Sequence, residues 1–307
     1  MKRTTYIIVG ILIAVIVVAT FLGMYLSRSP ASSSNSKVLQ VVAAENFWGS
    51  LVSQLGGTQV QVLSIVTNPN ADPHEYESNT ADAEAIAKAN YVIVNGAGYD
   101  DWAIQLISAS STPGQKILNV AQLLGQSVGS NPHFWYNPYY VNTTIHQMYS
   151  DLLSLSPNNA GYFTQQYATL NSSLAPYNTK IGQIRAQFNG TEVASTESIF
   201  VYLANATGLD LVSPSAFMQA ISEGIDPPVQ SVIQFEQQLQ SGQVKVLVYN
   251  EQTITPLTDN IKALATQNKV EVVGITETVQ PSGASFQDWM TAELTTLLNA
   301  LSTKSSE

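Results

Sequence analysis

From residue 38 onward the chain predicts an α/β fold of two lobes, each a mainly parallel sheet with flanking helices, joined by one long bridging helix. Three observations carry this reading. Short β-type runs alternate with amphipathic segments, a long helical stretch interrupts that alternation midway, and a second β-α series follows it. Strands that alternate with helices are joined by crossovers, which give parallel sheets covered by helices.

The elements follow in order. Val38–Ala43 and Gln59–Val66 read as strands, with a helix over Asn46–Leu55 between them that Gly56 and Gly57 end. A loop comes next, then a helix over Thr80–Ala89 that buries its alanines. Tyr91–Asn95 and Lys116–Val120 are the remaining strands of the first series. From Asn159 to Phe188, Tyr, Leu and Ile recur at helical spacing with no strand on either side, and Pro176 interrupts the run. Proline lacks the backbone N–H and crowds the preceding turn, so a kink is expected there. The second series has strands over Glu192–Thr196, Leu209–Val212, Lys245–Tyr249 and Val270–Ile275. Helices over Ser198–Ala206, Val229–Gln240 and Pro256–Gln267 lie between them, and Phe286–Leu301 is the closing helix. The chain thus divides into residues 1–37, a first lobe 38–158, a bridge 159–190 and a second lobe 191–307.

The first segment has a different character. Tyr6–Leu26 is almost unbroken apolar sequence behind Lys2 and Arg3, long enough as a helix to span the ~30 Å hydrocarbon core. A cleaved signal has a shorter apolar region, about 7–15 residues, followed by a small-x-small site, and no clear site of that kind follows here. The reading is an uncleaved anchor with its basic end inside, then a flexible Ser-rich tether over Ser27–Lys37. Everything after the tether faces outward from the membrane. Four sequons, at Asn142, Asn171, Asn189 and Asn205, fit an exported protein.

Composition narrows the function. Hydrophobic residues make up 45% of the 307, enough for a real core, while the net charge is -10. A negative surface argues against nucleic acid, whose phosphates need Lys and Arg. Cysteine is absent, which excludes disulfides, thiolate metal sites and anchoring through a lipidated cysteine. Only nitrogen and oxygen remain as metal ligands.

Of three histidines, two share a context: Asp72-Pro73-His74 and Asn131-Pro132-His133. Proline fixes its own φ and pushes the preceding residue into an extended conformation, so each imidazole leaves a stiff turn in a defined direction. That suits a metal ligand. His146 lies in a helical stretch outside any motif and reads as structural. Ligands in open α/β sheets bind beyond the carboxyl ends of the strands. His74 lies in such a loop, Glu197 directly follows Glu192–Thr196, and Glu277 follows Val270–Ile275. Two histidines of one lobe and two carboxylates of the other are placed to converge across a cleft. The alternative for each glutamate is a helix N-terminal residue interacting with the macrodipole.

Several segments then carry a family resemblance. The run from Val62 to Trp102, with "DPHEYE" ahead of "ANYVIVNG", resembles the zinc- and manganese-binding solute receptors of ATP-driven metal importers. The blocks "NPHFWYNP", "STESIFVYLANATGLDL", "ISEGIDPP", "VLVYNEQ" and "FQDWMTAELTTLL" continue the likeness in order up to Leu301. The resemblance implies a metal buried between two lobes that a rigid helix bridges. It implies four ligands, at His74, His133, Glu197 and Glu277. The third position is typically histidine in zinc importers and glutamate in manganese importers. The fourth is usually aspartate, so Glu277 is one methylene longer, and Glu251 at the end of "VLVYNE" is the replacement candidate. Asn131 stands where the family has aspartate, which weakens the expected support of the His133 ring.

The expectation is therefore a monomeric extracytoplasmic receptor, no enzyme, that binds a divalent metal and hands it to an ABC importer permease. The Glu197 carboxylate and the lack of a long His/Asp-rich loop favour Mn²⁺, with Zn²⁺ next. Two rivals remain: a secreted zinc metallohydrolase, although no HExxH helix is present, and an adhesin-like surface protein with a structural metal.

Overall fold

The computed structural model describes residues 38–303 apart from 111. The anchor expected over Tyr6–Leu26 and the tether over Ser27–Lys37 lie outside the described residues. Among the described residues no helix is long and apolar enough to cross a membrane.

Two four-stranded parallel sheets form the frame. The first comprises β1 (Leu39–Glu45), β2 (Val60–Val66), β3 (Tyr91–Val94) and β4 (Lys116–Asn119), in spatial order β2-β1-β3-β4. The second comprises β5 (Glu192–Ser195), β6 (Asp210–Leu211), β7 (Val246–Asn250) and β8 (Glu271–Ile275), in the order β6-β5-β7-β8. Both lobes thus wind the same way. Every strand pairing is parallel. All four residues of β3 are buried, as a central strand covered on both faces requires.

The helices that cover the first sheet are α1 (Asn46–Gly56), α2 (Thr80–Lys88), α3 (Asp101–Ser110) and α4 (Pro138–Leu155). The sequence reading assigned no element to α3 or to α4 as such. Asn137 caps α4 through the N–H groups of Tyr139 and Tyr140, and Pro138 sits in the first turn, where its missing N–H costs nothing.

The single bridging helix expected over 159–188 is instead two helices, α5 (Ala160–Ser173) and α6 (Ala175–Phe188), meeting at Leu174. Pro176 explains the correction. It has no N–H to donate to the carbonyl of Ser172 and its ring crowds that carbonyl, so the helix restarts and the proline falls in the new first turn.

In the second lobe α7 (Val201–Thr207) is shorter than expected because Ser198–Phe200 forms a single tight 3₁₀ turn ahead of it. Gly208, with φ 72°, ends α7 in the left-handed region that glycine adopts freely. Then come α8 (Ser215–Ser222), not assigned from sequence, α9 (Val229–Gln240), α10 (Pro256–Gln267) and α11 (Phe286–Ser302). A single apolar cluster runs from Phe47 and Trp135 of the first lobe through Val246, Val273 and Trp289 of the second. Phe47 stacks on Trp135 with ring centroids 4.0 Å apart, which fixes the backbone two residues after His133.

Candidate metal centre

The carboxyl ends of both sheets supply the loops of one site. Each histidine leaves a turn that a preceding polar side chain closes. Asp72 Oδ1 accepts from the His74 N–H at 2.9 Å, and Asn131 Oδ1 accepts from the His133 N–H at 3.1 Å. Proline stands between in both cases, so the turns share one design. The far end of the His74 loop is held by a capping box at Asn79 and Asp82, with the Tyr76 hydroxyl donating to Asp82 at 2.9 Å.

Four side chains meet between the lobes. His74 Nε2 lies 3.3 Å from Glu277 Oε2, and His133 Nε2 lies 3.8 Å from the same oxygen. One ligand atom from each of His74, His133 and Glu277 falls within 4.8 Å of the others. Glu197 Oε1 is 3.5 Å from His133 Nε2, and Glu197 is not part of that tighter trio. His133, Glu197 and Glu277 are fully buried. The side chain of His74 is 22% exposed, so the site is reached past His74.

Unsatisfied atoms mark the centre. His74 Nε2, His133 Nε2 and both carboxylate oxygens of Glu197 are buried without a hydrogen-bond partner. Buried polar atoms without hydrogen bonds cost free energy, and these four, with both imidazoles near Glu277 and Glu197 beside His133, have the donor chemistry to hold a cation. Glu197 precedes the turn Ser198–Phe200 in extended conformation and makes no capping bond, so the helix-cap alternative finds no hydrogen bond to support it.

Glu277 is held differently. Asn250 Nδ2 donates to its Oε1 at 2.5 Å, and the Tyr99 hydroxyl donates to its Oε2 at 2.6 Å. The extra methylene is thereby accommodated with the carboxylate fixed among the ligands. Glu251 is exposed and accepts from the Tyr249 hydroxyl, away from this group. Beneath the site Glu293 accepts from the Tyr136 hydroxyl at 2.7 Å and the Thr276 N–H at 3.0 Å, tying the His133 segment to the Glu277 segment. His146 sits exposed on α4, its ring edge toward Tyr167, apart from the site.

Tyr99, Asn250 and Glu293 were not among the sequence candidates. Asn250 ends β7 and Tyr99 follows β3, so the carboxyl-end rule reaches both. Asn131 corrects a different expectation. Its Oδ1 stands 2.7 Å from His133 Nδ1, and its Nδ2 donates to the Ser198 carbonyl at 2.7 Å. With the ring proton assigned to Nδ1, Nε2 keeps its lone pair for a metal. Aspartate can match the first bond and not the second.

The electrostatics suit a dication. Burial raises Glu197 to about 8, with the Glu277 charge adding to it. Burial opposes a charged His74, yet the adjacent Glu277 carboxylate, then the charge of Asp72, carry it up to about 9. Burial lowers His133. Burial also works against an ionised Glu277, but the His74 charge and the nearness of both imidazoles hold it well below the usual carboxylate range. Without metal the centre balances itself as an imidazolium–carboxylate pair beside a protonated Glu197.

Above His74 opens a cleft of about 1780 Å³. Asp72, Glu75, Glu77, Asp101, Glu223, Asp226 and Glu251 line it together with His74 and neutral residues, and no Lys or Arg does.

Known proteins share this fold. The family described as zinc-uptake complex component A, periplasmic, matches residues 41–300. The manganese-binding lipoprotein MntA of Halalkalibacterium halodurans is 23% identical over 198 residues, which cover 61% of this chain and 63% of that protein, so the match spans less than two thirds of the relative. The periplasmic zinc-binding protein TroA from Treponema pallidum superposes with a TM-score of 0.71 at 17% identity, covering 86% of this chain and 99% of TroA. The SBP FpvC from Pseudomonas aeruginosa, in complex with Ni²⁺, gives 0.71 at 22% identity over 88% and 99% of the two chains.

Proposed function

The chain belongs to the zinc-uptake complex component A family, and on that premise we propose that it is an extracytoplasmic receptor that captures one divalent transition-metal cation between its lobes and delivers it to an ABC importer permease. The ligands are His74, His133, Glu197 and Glu277. One observation carries this reading: four buried donor atoms of His74, His133 and Glu197 that make no hydrogen bond, beside the fixed Glu277 carboxylate. Two neutral imidazoles and two carboxylates offset the cation's charge, and the acidic cleft favours its approach.

Mn²⁺ is the favoured cargo and Zn²⁺ the next. Carboxylate-rich sites suit Mn²⁺, and the two free oxygens of Glu197 allow two-point binding. The affinity order places Zn²⁺ above Mn²⁺ at such donors, so zinc competes whenever it is available. The relatives' names span manganese, zinc and nickel, in keeping with one frame tuned to several metals.

The receptor acts as a monomer on the outer face of the cell membrane, attached through Tyr6–Leu26, with lobes at 38–158 and 191–307 bridged by 159–190. No catalysis is involved. A hydrolase needs a coordination position kept for water, whereas here four protein side chains surround the centre and three are fully buried. Native mass spectrometry after chelation and reloading tests the reading. One Mn²⁺ or Zn²⁺ per chain is expected, lost in His133→Ala; retention of the full stoichiometry in that variant contradicts it.

A further inference from the structure

The turn after β7 joins two ligand-bearing segments that are distant in sequence. Gln252 is 6% exposed. Its Oε1 accepts from the N–H groups of Glu277 (2.7 Å) and Thr278 (3.1 Å). Its Nε2 donates to the carbonyls of Ala71 (2.8 Å) and Asn68 (3.4 Å), in the loop that carries His74. One planar amide therefore gives its acceptor to the second lobe and its donors to the first. Thr253 adds a bond in the same direction: its hydroxyl donates to Asp72 Oδ2 at 3.0 Å, while Asp72 Oδ1 holds the His74 N–H. The Gln252 N–H donates to Asn250 Oδ1 at 2.9 Å, so the turn is braced on the residue that also fixes Glu277.

The two histidines differ in what holds them. His133 is fully buried beside Trp135 and Tyr99. His74 faces the cleft, and residues 67–72 ahead of it contain neither helix nor strand. A cation held by both lobes leaves when one ligand withdraws. The His74 loop is the exposed one, and withdrawing it breaks both donor bonds of Gln252 together.

We propose that Gln252 is a positioning residue for cargo retention, one that fixes the His74 loop against the Glu277 segment and so sets the rate at which the cation escapes. The proposal rests on the receptor reading of the same site. It does not depend on which metal is carried.

Two substitutions on the full chain test it. Gln252→Met keeps length and volume while removing both halves of the amide, and Thr253→Val removes the Asp72 bond, together with one acceptor of the Asn250 amide, with little change of shape. Release of Mn²⁺ and Co²⁺ into excess chelator is followed by stopped flow, and the visible absorption of bound Co²⁺ reports its coordination. Loss of outer partners at a metal site typically costs about 10–100-fold in affinity. The expected result is release at least about tenfold faster in Gln252→Met, with association unchanged and the Co²⁺ spectrum altered. Thr253→Val shifts release the same way by less. Placed on His74→Ala, Gln252→Met has a smaller effect, because the part that runs through the His74 loop is already gone and only the freed N–H groups of Glu277 and Thr278 remain. Native release rates in both variants overturn the proposal, as does a Gln252→Met effect undiminished in His74→Ala. If Gln252→Met does not fold, Thr253→Val decides: faster release supports the proposal and unchanged release overturns it. Failure of the unsubstituted chain to bind either ion overturns the receptor reading itself.

Discussion

His133 Nδ1 lies 2.7 Å from Asn131 Oδ1, and the same asparagine amide donates to the carbonyl of Ser198, the residue after Glu197. A single side chain therefore orients one imidazole and links its turn to the opposite lobe. The Tyr202 hydroxyl reinforces the link by donating to the Asn131 carbonyl at 2.9 Å.

Asn131→Ala removes these two bonds together with the acceptor for the His133 N–H, and is expected to weaken metal binding by about 10–100-fold. Asn131→Asp keeps the ring acceptor and loses only the bond to Ser198, so its loss is smaller. Chelator-competition titration ranks the two. Equal losses would mean that the cross-lobe bond, and not the ring, governs affinity.

Glu197→His tests selectivity. The change removes a negative charge and two free buried oxygens, leaving three imidazoles and one carboxylate, a set suited to tetrahedral Zn²⁺. Mn²⁺ affinity is expected to fall far more than Zn²⁺ affinity in parallel titrations. Equal weakening would reduce the role of Glu197 to charge balance.

Why parts of this were legible in the sequence is a matter of signal range. Val229–Gln240 and Pro256–Gln267 match the structure end to end: the first, without a side-chain cap, shows by helical spacing over twelve residues, and the second by Pro256 in its first turn and the box of Thr255 with Thr258. The helix at Ser215–Ser222 also lacks a side-chain cap and has only eight residues, too short a run for helical spacing to stand out. The break at Leu174 was half visible, through Pro176. In the site, His74 and His133 stand out because proline precedes each. Asn250 does not, because asparagine is common and its role depends on pairing. Asn250 lies opposite Ile275 across β7 and β8, which brings it beside the segment that carries Glu277. Tyr99 and Gln252 reach across from other loops, at distances in sequence that no local pattern reports.

Metal should stabilise the fold, since the unfolded chain lacks the site. At free metal about 100-fold above Kd the gain is roughly 2.7 kcal/mol. Thermal unfolding after thorough chelation, with and without Mn²⁺ or Zn²⁺, measures it. An unchanged Tm at saturating metal counts against the receptor.

Binding should depend on pH with a definite sign. His74, at about 9, and Glu197, at about 8, both hold protons in the neutral metal-free protein. A cation must displace them, so affinity rises as pH climbs toward those values and falls in acid. About two protons should leave per ion bound near pH 7. Calorimetry in buffers of different ionisation enthalpy counts them, and pH-independent affinity across the neutral range would contradict the protonation scheme.

The most direct test is a crystal structure of the metal-loaded protein with anomalous data collected at the absorption edge of the loaded ion. One anomalous peak is expected between the lobes, at about 2.0–2.2 Å from His74 Nε2, His133 Nε2 and carboxylate oxygens of Glu197 and Glu277. A peak elsewhere in the cleft, or one that Glu197 or Glu277 does not touch, would contradict the ligand set.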